Sequence, residues 1–179
     1  MRVLLAVPHA DITTPAGDKG SLEMANKLAK YIKGAVVLES KAMRVVGQTD
    51  SNRGNNPIQT PKLTEFHSTL KTKLDLNPRL MLDIHSYGTR PHQFIHGTPD
   101  VYAMHFPNDE VQIEIAKNLG IDQMIEASDK NYDISQANQM GVPSLLLEFH
   151  EDAYTKKEFV QELAEKINTY VSKTPWPGD

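Results

Sequence analysis

The chain has 179 residues, 39% of them hydrophobic and 23% charged, and a formal net charge of −4. That length predicts one domain, residues 1–179, large enough to bury a core without staples, and the mild negative charge argues against nucleic acid or an anionic membrane as a partner. The absence of cysteine removes disulfides, thiolate ligands and a Cys nucleophile together, so a transition metal here must be held by His, Asp or Glu, a set that suits catalytic zinc.

The chain enters a strand at once, at about residues 2–8 (Arg2-Val3-Leu4-Leu5-Ala6-Val7-Pro8), and His9 closes it. The apolar stretch is too short for a signal segment, and no later run approaches the length of a membrane-spanning helix. The expectation is a soluble, cytoplasmic protein. A polar loop with Asp11 and Asp18 follows, then a helix over about 19–33, in which Leu22, Ala25, Leu28, Ala29 and Ile32 recur at helical spacing and Gly34 is the stop. Ala35-Val36-Val37-Leu38 is a second buried strand, completing a βαβ unit and implying parallel pairing.

Gly47, Gly54, Pro57 and Pro61 mark residues 47–61 as a loop, with Asn52-Arg53 at its polar tip. A helix over about 62–75 presents Leu63, Phe66, Leu70 and Leu74 on one face. The run Met81-Leu82-Asp83-Ile84 is a strand that ends in His85, with Asp83 on the same side as His85. Two strand-like pieces, 92–96 and 101–105, come next, followed by a helix of about 109–119 capped by Asn108 and ended by Gly120. Residues 121–128 hold another short strand, and 135–140 a helical turn. The strand Ser144–Phe149 carries Glu148, and an amphipathic helix of about 155–172 closes the chain with Leu163, Ile167, Tyr170 and Val171 as its core stripe. Alternating strands and helices predict a three-layer α/β fold: a mixed, mostly parallel sheet with helices on both faces.

Three strands thus deliver His9, His85 and Glu148 to one edge of the sheet, and open α/β sheets bind ligands at the carboxyl ends of their strands. Catalytic zinc takes three protein ligands and leaves a position open. His9 and His85 are two ligands, Glu148 is the general base, and Asp18 or Asp11 is the third ligand. Asp83 fits an orienting partner for a ligating imidazole. Arg53 can grip a carboxylate through two parallel hydrogen bonds, which Lys cannot.

Val7-Pro8-His9-Ala10, Gly17-Asp18-Lys19, Thr49-Asp50-Ser51-Asn52-Arg53, Leu82-Asp83-Ile84-His85-Ser86 and Leu145-Leu146-Leu147-Glu148 occur in that order. The ordered set resembles the N-formylglutamate amidohydrolase family over nearly the whole chain. The resemblance implies the fold of the zinc carboxypeptidases and aspartoacylases, of phosphorylase/hydrolase type. It also implies one zinc ion on His9, Asp18 and His85, with Glu148 promoting attack by water and Asn52 and Arg53 binding a substrate carboxylate. Family members often carry an Arg shortly before the final strand, and the stretch 134–140 here has none. The expected partner is a small carboxylate-bearing substrate, and the expected reaction is hydrolysis of its amide. A small carboxypeptidase or γ-glutamyl peptidase on the same fold, and a non-catalytic metabolite-binding relative, are the alternatives.

Overall fold

A computed structural model describes residues 1–10, 18–43, 51, 59–88, 91–127 and 131–174. In chain order these form β1 (Val3–Val7), α1 (Ser21–Tyr31), β2 (Ala35–Glu39), α2 (Pro61–Leu74), β3 (Leu80–Tyr87), β4 (Val101–His105), α3 (Glu110–Asn118), β5 (Met124–Glu126), α4 (Tyr132–Gln139), β6 (Ser144–His150) and α5 (Lys157–Lys173). The six strands make one sheet in the order β2-β1-β3-β6-β4-β5. β2, β1, β3 and β6 run parallel, β4 is antiparallel to β6, and β5 is parallel to β4. The expected mixed, mostly parallel sheet is the one observed.

Both faces are covered, which is why the central strands are apolar on both sides. On one face Val3, Leu5, Leu82, Leu145 and Leu147 pack against Met24 and Leu28 of α1, Ile115 of α3, and Val160, Leu163 and Ile167 of α5. On the other, Leu4, Met81 and Leu146 pack against Leu70 and Leu74 of α2 and Ile134 and Ala137 of α4. Each fully buried Leu stabilises the fold by roughly 1.5–3 kcal/mol relative to exposure.

Local chemistry sets the element ends. Thr60 caps α2 by accepting from the Leu63 amide at 3.2 Å, with Pro61 in the first turn. The cap of α3 is Asp109, accepting from the Gln112 amide at 3.1 Å, and not Asn108, which sits at φ 58 in the turn before it. Residues 92–96 are turns rather than a strand. The Gln123 side chain bonds both the amide and the carbonyl of His96, at 2.8 and 3.0 Å, and of these five residues only Ile95 is buried. The turn expected at 135–140 is the second half of a helix that begins at Tyr132, with Asn131 as its cap.

Strand order locates the crevice. From β1 the chain passes through α1 to β2 on one side, then through α2 on the opposite face to β3 on the other side. The carboxyl ends of β1 and β3 therefore flank a topological switch point, where ligands of open α/β sheets bind.

Candidate metal centre

His9 lies in the turn that follows β1. Its carbonyl accepts the Asp18 amide at 3.0 Å, so the far end of the intervening loop returns to the strand end. The Asp18 carbonyl in turn accepts from the Ser21 amide at 3.3 Å and the Ser21 hydroxyl at 2.8 Å. Asp18 therefore starts α1 through its backbone, and its carboxylate is turned to other work. Gly20 makes this turn possible. It sits at φ 90, and a Cβ there would meet the Glu151 carbonyl oxygen at 2.4 Å.

The Asp18 carboxylate reaches both histidines: Oδ2 lies 3.0 Å from His9 Nδ1 and 2.8 Å from His85 Nδ1. The two imidazoles meet edge to face with centroids 4.7 Å apart. Both are buried, at 3% and 4% exposure, so the cluster is shielded from bulk water. One candidate ligand atom from each of His9, Asp18 and His85 lies within 4.8 Å of the others, enough to hold a metal ion.

On its other side, His85 Nε2 lies 3.2 Å from Asp83 Oδ2, and Asp83 is fully buried in the central strand. The same oxygen accepts from Asn131 Nδ2 at 2.6 Å. An Nε2–H donated to Asp83 leaves the Nδ1 lone pair aimed at another acceptor, Asp18 Oδ2. Such an arrangement needs a positive charge between the two, either a second proton on the ring or a metal ion. Ligands about 2.05 Å from a tetrahedral zinc stand about 3.3 Å apart. The Nδ1–Oδ2 separations need open by only a few tenths of an ångström, which suits a metal ion shared by imidazole nitrogen and carboxylate oxygen.

The electrostatics favour a cation. Burial alone would raise the Asp18 carboxyl, but hydrogen bonds and charge from His85 and His9 overcome it and hold the group well below the usual carboxylate range. Burial would lower His85, but the Asp83 charge and the Asp18 hydrogen bond hold it well above the ordinary value.

Glu148 pairs in register with His85 in β3 and with Tyr102 in β4. Its carboxyl is pushed up to about 7, chiefly by burial, with the negative charges of Asp18 and Asp83 adding to the rise and His85 and His9 opposing it. Among the described residues it has no hydrogen-bond partner. A carboxyl poised near neutrality can both take and give a proton.

The structure thus brings His9, Asp18, His85, Asp83 and Glu148 to the switch point. Asn52, Arg53 and Asp11 lie outside the described residues. Next to Asn52, Ser51 is buried and doubly tied: its hydroxyl meets that of Ser40 at 2.6 Å, and its carbonyl accepts from His67 Nε2 at 2.7 Å. Ser86 donates its hydroxyl to the carbonyl of Lys19, the neighbour of Asp18, and Tyr87 packs with Tyr102 and against the His150 ring. Sequence reasoning passed over Asn131 and Tyr102. An Asn two residues before Asp133, at a helix start, was a readable capping signal, but its reach to Asp83 is tertiary.

The sheet order defines a mixed α/β fold that has likenesses among solved structures. Three solved structures carry that likeness. They are the Atu2144 gene product of Agrobacterium tumefaciens (TM-score 0.60, 16% identity, covering 96% of this chain and 89% of that one), the CwlD amidase of Clostridioides difficile in complex with the GerS lipoprotein (0.57, 15%, 97% and 97%), and the succinylglutamate desuccinylase of Chromobacterium violaceum (0.58, 14%, 96% and 62%). At these identities the likeness is one of fold. No protein-family model matches the sequence, and no curated protein matches it.

Proposed function

We propose that the protein is a zinc-dependent amidohydrolase or deacylase. In this reading it resembles N-formylglutamate amidohydrolase and cleaves the amide of an N-acyl amino acid or a similar small carboxylate-bearing substrate. The observation that carries this reading is the convergence of His9 Nδ1, His85 Nδ1 and Asp18 Oδ2 beside a Glu148 carboxyl raised to about 7. It is supported by the fold neighbours, among them an amidase and a desuccinylase.

His9, Asp18 and His85 hold the metal, which when bound supplies Lewis acidity to the scissile carbonyl and lowers the pKa of water. Glu148 takes the proton of the attacking water and passes it to the leaving amine. Asp83 fixes the His85 ring so that Nδ1 faces the metal. Asn52 and Arg53 anchor the substrate carboxylate, and a planar guanidinium gives that contact its geometry.

A panel of N-acyl amino acids, each paired with its carboxamide analogue, tests this with zinc-loaded protein and amine release as the readout. Turnover of the free acids and poor turnover of the carboxamides is the expected result. No turnover of any member by protein that carries stoichiometric zinc would leave a metal-binding protein that is not a hydrolase of this class.

A further inference from the structure

We propose that Asn131 is a positioning residue of the metal centre, locking Asp83 and through it the ligating tautomer of His85. This rests on the zinc reading above and extends it to a residue two contacts away from the metal.

Asn131 caps α4, and its Oδ1 accepts the Ile134 amide at 3.0 Å. With the oxygen committed to the helix, Nδ2 has to face the other way, where it donates to Asp83 Oδ2 at 2.6 Å. The capping bond thus removes the ambiguity that an Asn side chain otherwise carries. The helix beneath is itself fixed. Ile134 and Ala137 pack with Leu4, Met81 and Leu146 on the sheet, and Tyr132 stacks on His67 with centroids 4.2 Å apart.

Asp83 depends on this donor. It is fully buried, and among the described residues its Oδ1 has no hydrogen-bond partner. Both of its described hydrogen bonds fall on Oδ2, one from Asn131 at 2.6 Å and a longer one involving His85 Nε2 at 3.2 Å. Without Asn131 the carboxylate keeps, among the described residues, only the longer contact and is free to rotate. Rotation releases His85 from the Nε2–H tautomer. A ring protonated on Nδ1 cannot present that nitrogen to a metal. Partners behind a ligating His typically change metal affinity by about 10–100-fold.

Asn131 has two jobs, and two substitutions separate them. Ser caps helices about as well as Asn but is too short to reach Asp83, whereas Ala loses both functions. Zinc is titrated into wild type, Asn131→Ser and Asn131→Ala in competition with a chelating indicator. The denaturation midpoint of each metal-free protein is measured alongside, and imidazole nitrogen shifts of the zinc-loaded proteins report the His85 tautomer. The expected result is a zinc affinity lowered by about 10–100-fold in both variants, with loss of the single Nε2–H tautomer in both. The midpoint should fall clearly in Asn131→Ala alone. If Asn131→Ser binds zinc as wild type does, Asn131 is only a helix cap and the proposal is overturned. If wild type itself binds no zinc, the zinc reading fails and this proposal falls with it.

Discussion

Replacing Glu148 by Gln separates the work of this carboxyl in chemistry from its effect on the fold. Gln keeps the shape but cannot accept a proton, so turnover should fall by about 10²–10⁴ in kcat, the usual contribution of a general base, or roughly 3–5.5 kcal/mol of barrier. Zinc binding should persist, because Glu148 is outside the ligand set. The structure also predicts a gain. Folding moves the carboxyl from 4.5 to about 7, which at about 1.4 kcal/mol per pH unit costs the ionised form about 3 kcal/mol. Below pH 4.5 folded and unfolded chains both hold the proton and no cost arises. Between 4.5 and 7 the unfolded chain releases it first, so stability falls with rising pH, and above 7 the loss is complete. Metal-free Glu148→Gln should therefore match wild type at pH 4 and exceed it by up to about 3 kcal/mol at pH 8. Bound zinc favours the ionised carboxylate and should shrink the difference. Denaturant titrations at the two pH values provide the assay. Equal stabilities at pH 8 in the metal-free proteins would refute the claim that burial raises the Glu148 carboxyl.

Two further outcomes follow from the turns around the centre. Gly20→Ala forces a Cβ onto the Glu151 carbonyl at φ 90. It should lower stability by about 1–3 kcal/mol and weaken zinc binding by shifting Asp18, and an unchanged denaturation midpoint would contradict the close packing described here. His67 is held below its ordinary value by burial, against the opposing bond to Ser51, so wild type should lose stability as pH falls below about 6.5. His67→Gln, which keeps a donor for Ser51 but does not titrate there, should show a shallower decline, and identical pH–stability curves for the two proteins would count against it.

What the sequence made legible follows from how each signal arises. β1, β3 and β6 are buried on both faces, so each reads as an apolar run. His9, His85 and Glu148 stand out because a polar group at the end of such a run breaks its pattern. The site's location then follows from strand order, of which one βαβ unit revealed only the parallel pairing of β1 and β2. Contacts made across space were not legible in this way. Asp18 doubles as a helix-start residue, and only the family resemblance separated it from Asp11 before the structure showed its carboxylate turned to both histidines. Alternation at 92–96 mimics a strand, but the Gln123 side chain takes up the backbone groups that a ladder would use. The helical pattern of α1 runs back to Lys19, yet the left-handed Gly20 delays the helix to Ser21. Asn131 reads as a loop residue because its reach to Asp83 spans 48 residues of chain.

The central claim is that His9, Asp18 and His85 together bind one zinc ion. Calorimetric titration of zinc into the metal-free protein, and into His9→Ala, Asp18→Ala and His85→Ala, tests it most directly. The account predicts one ion per chain for wild type and loss of that binding in each variant, with every protein still folded by circular dichroism. Zinc binding that survives all three substitutions, or a wild type that binds no zinc, would contradict it.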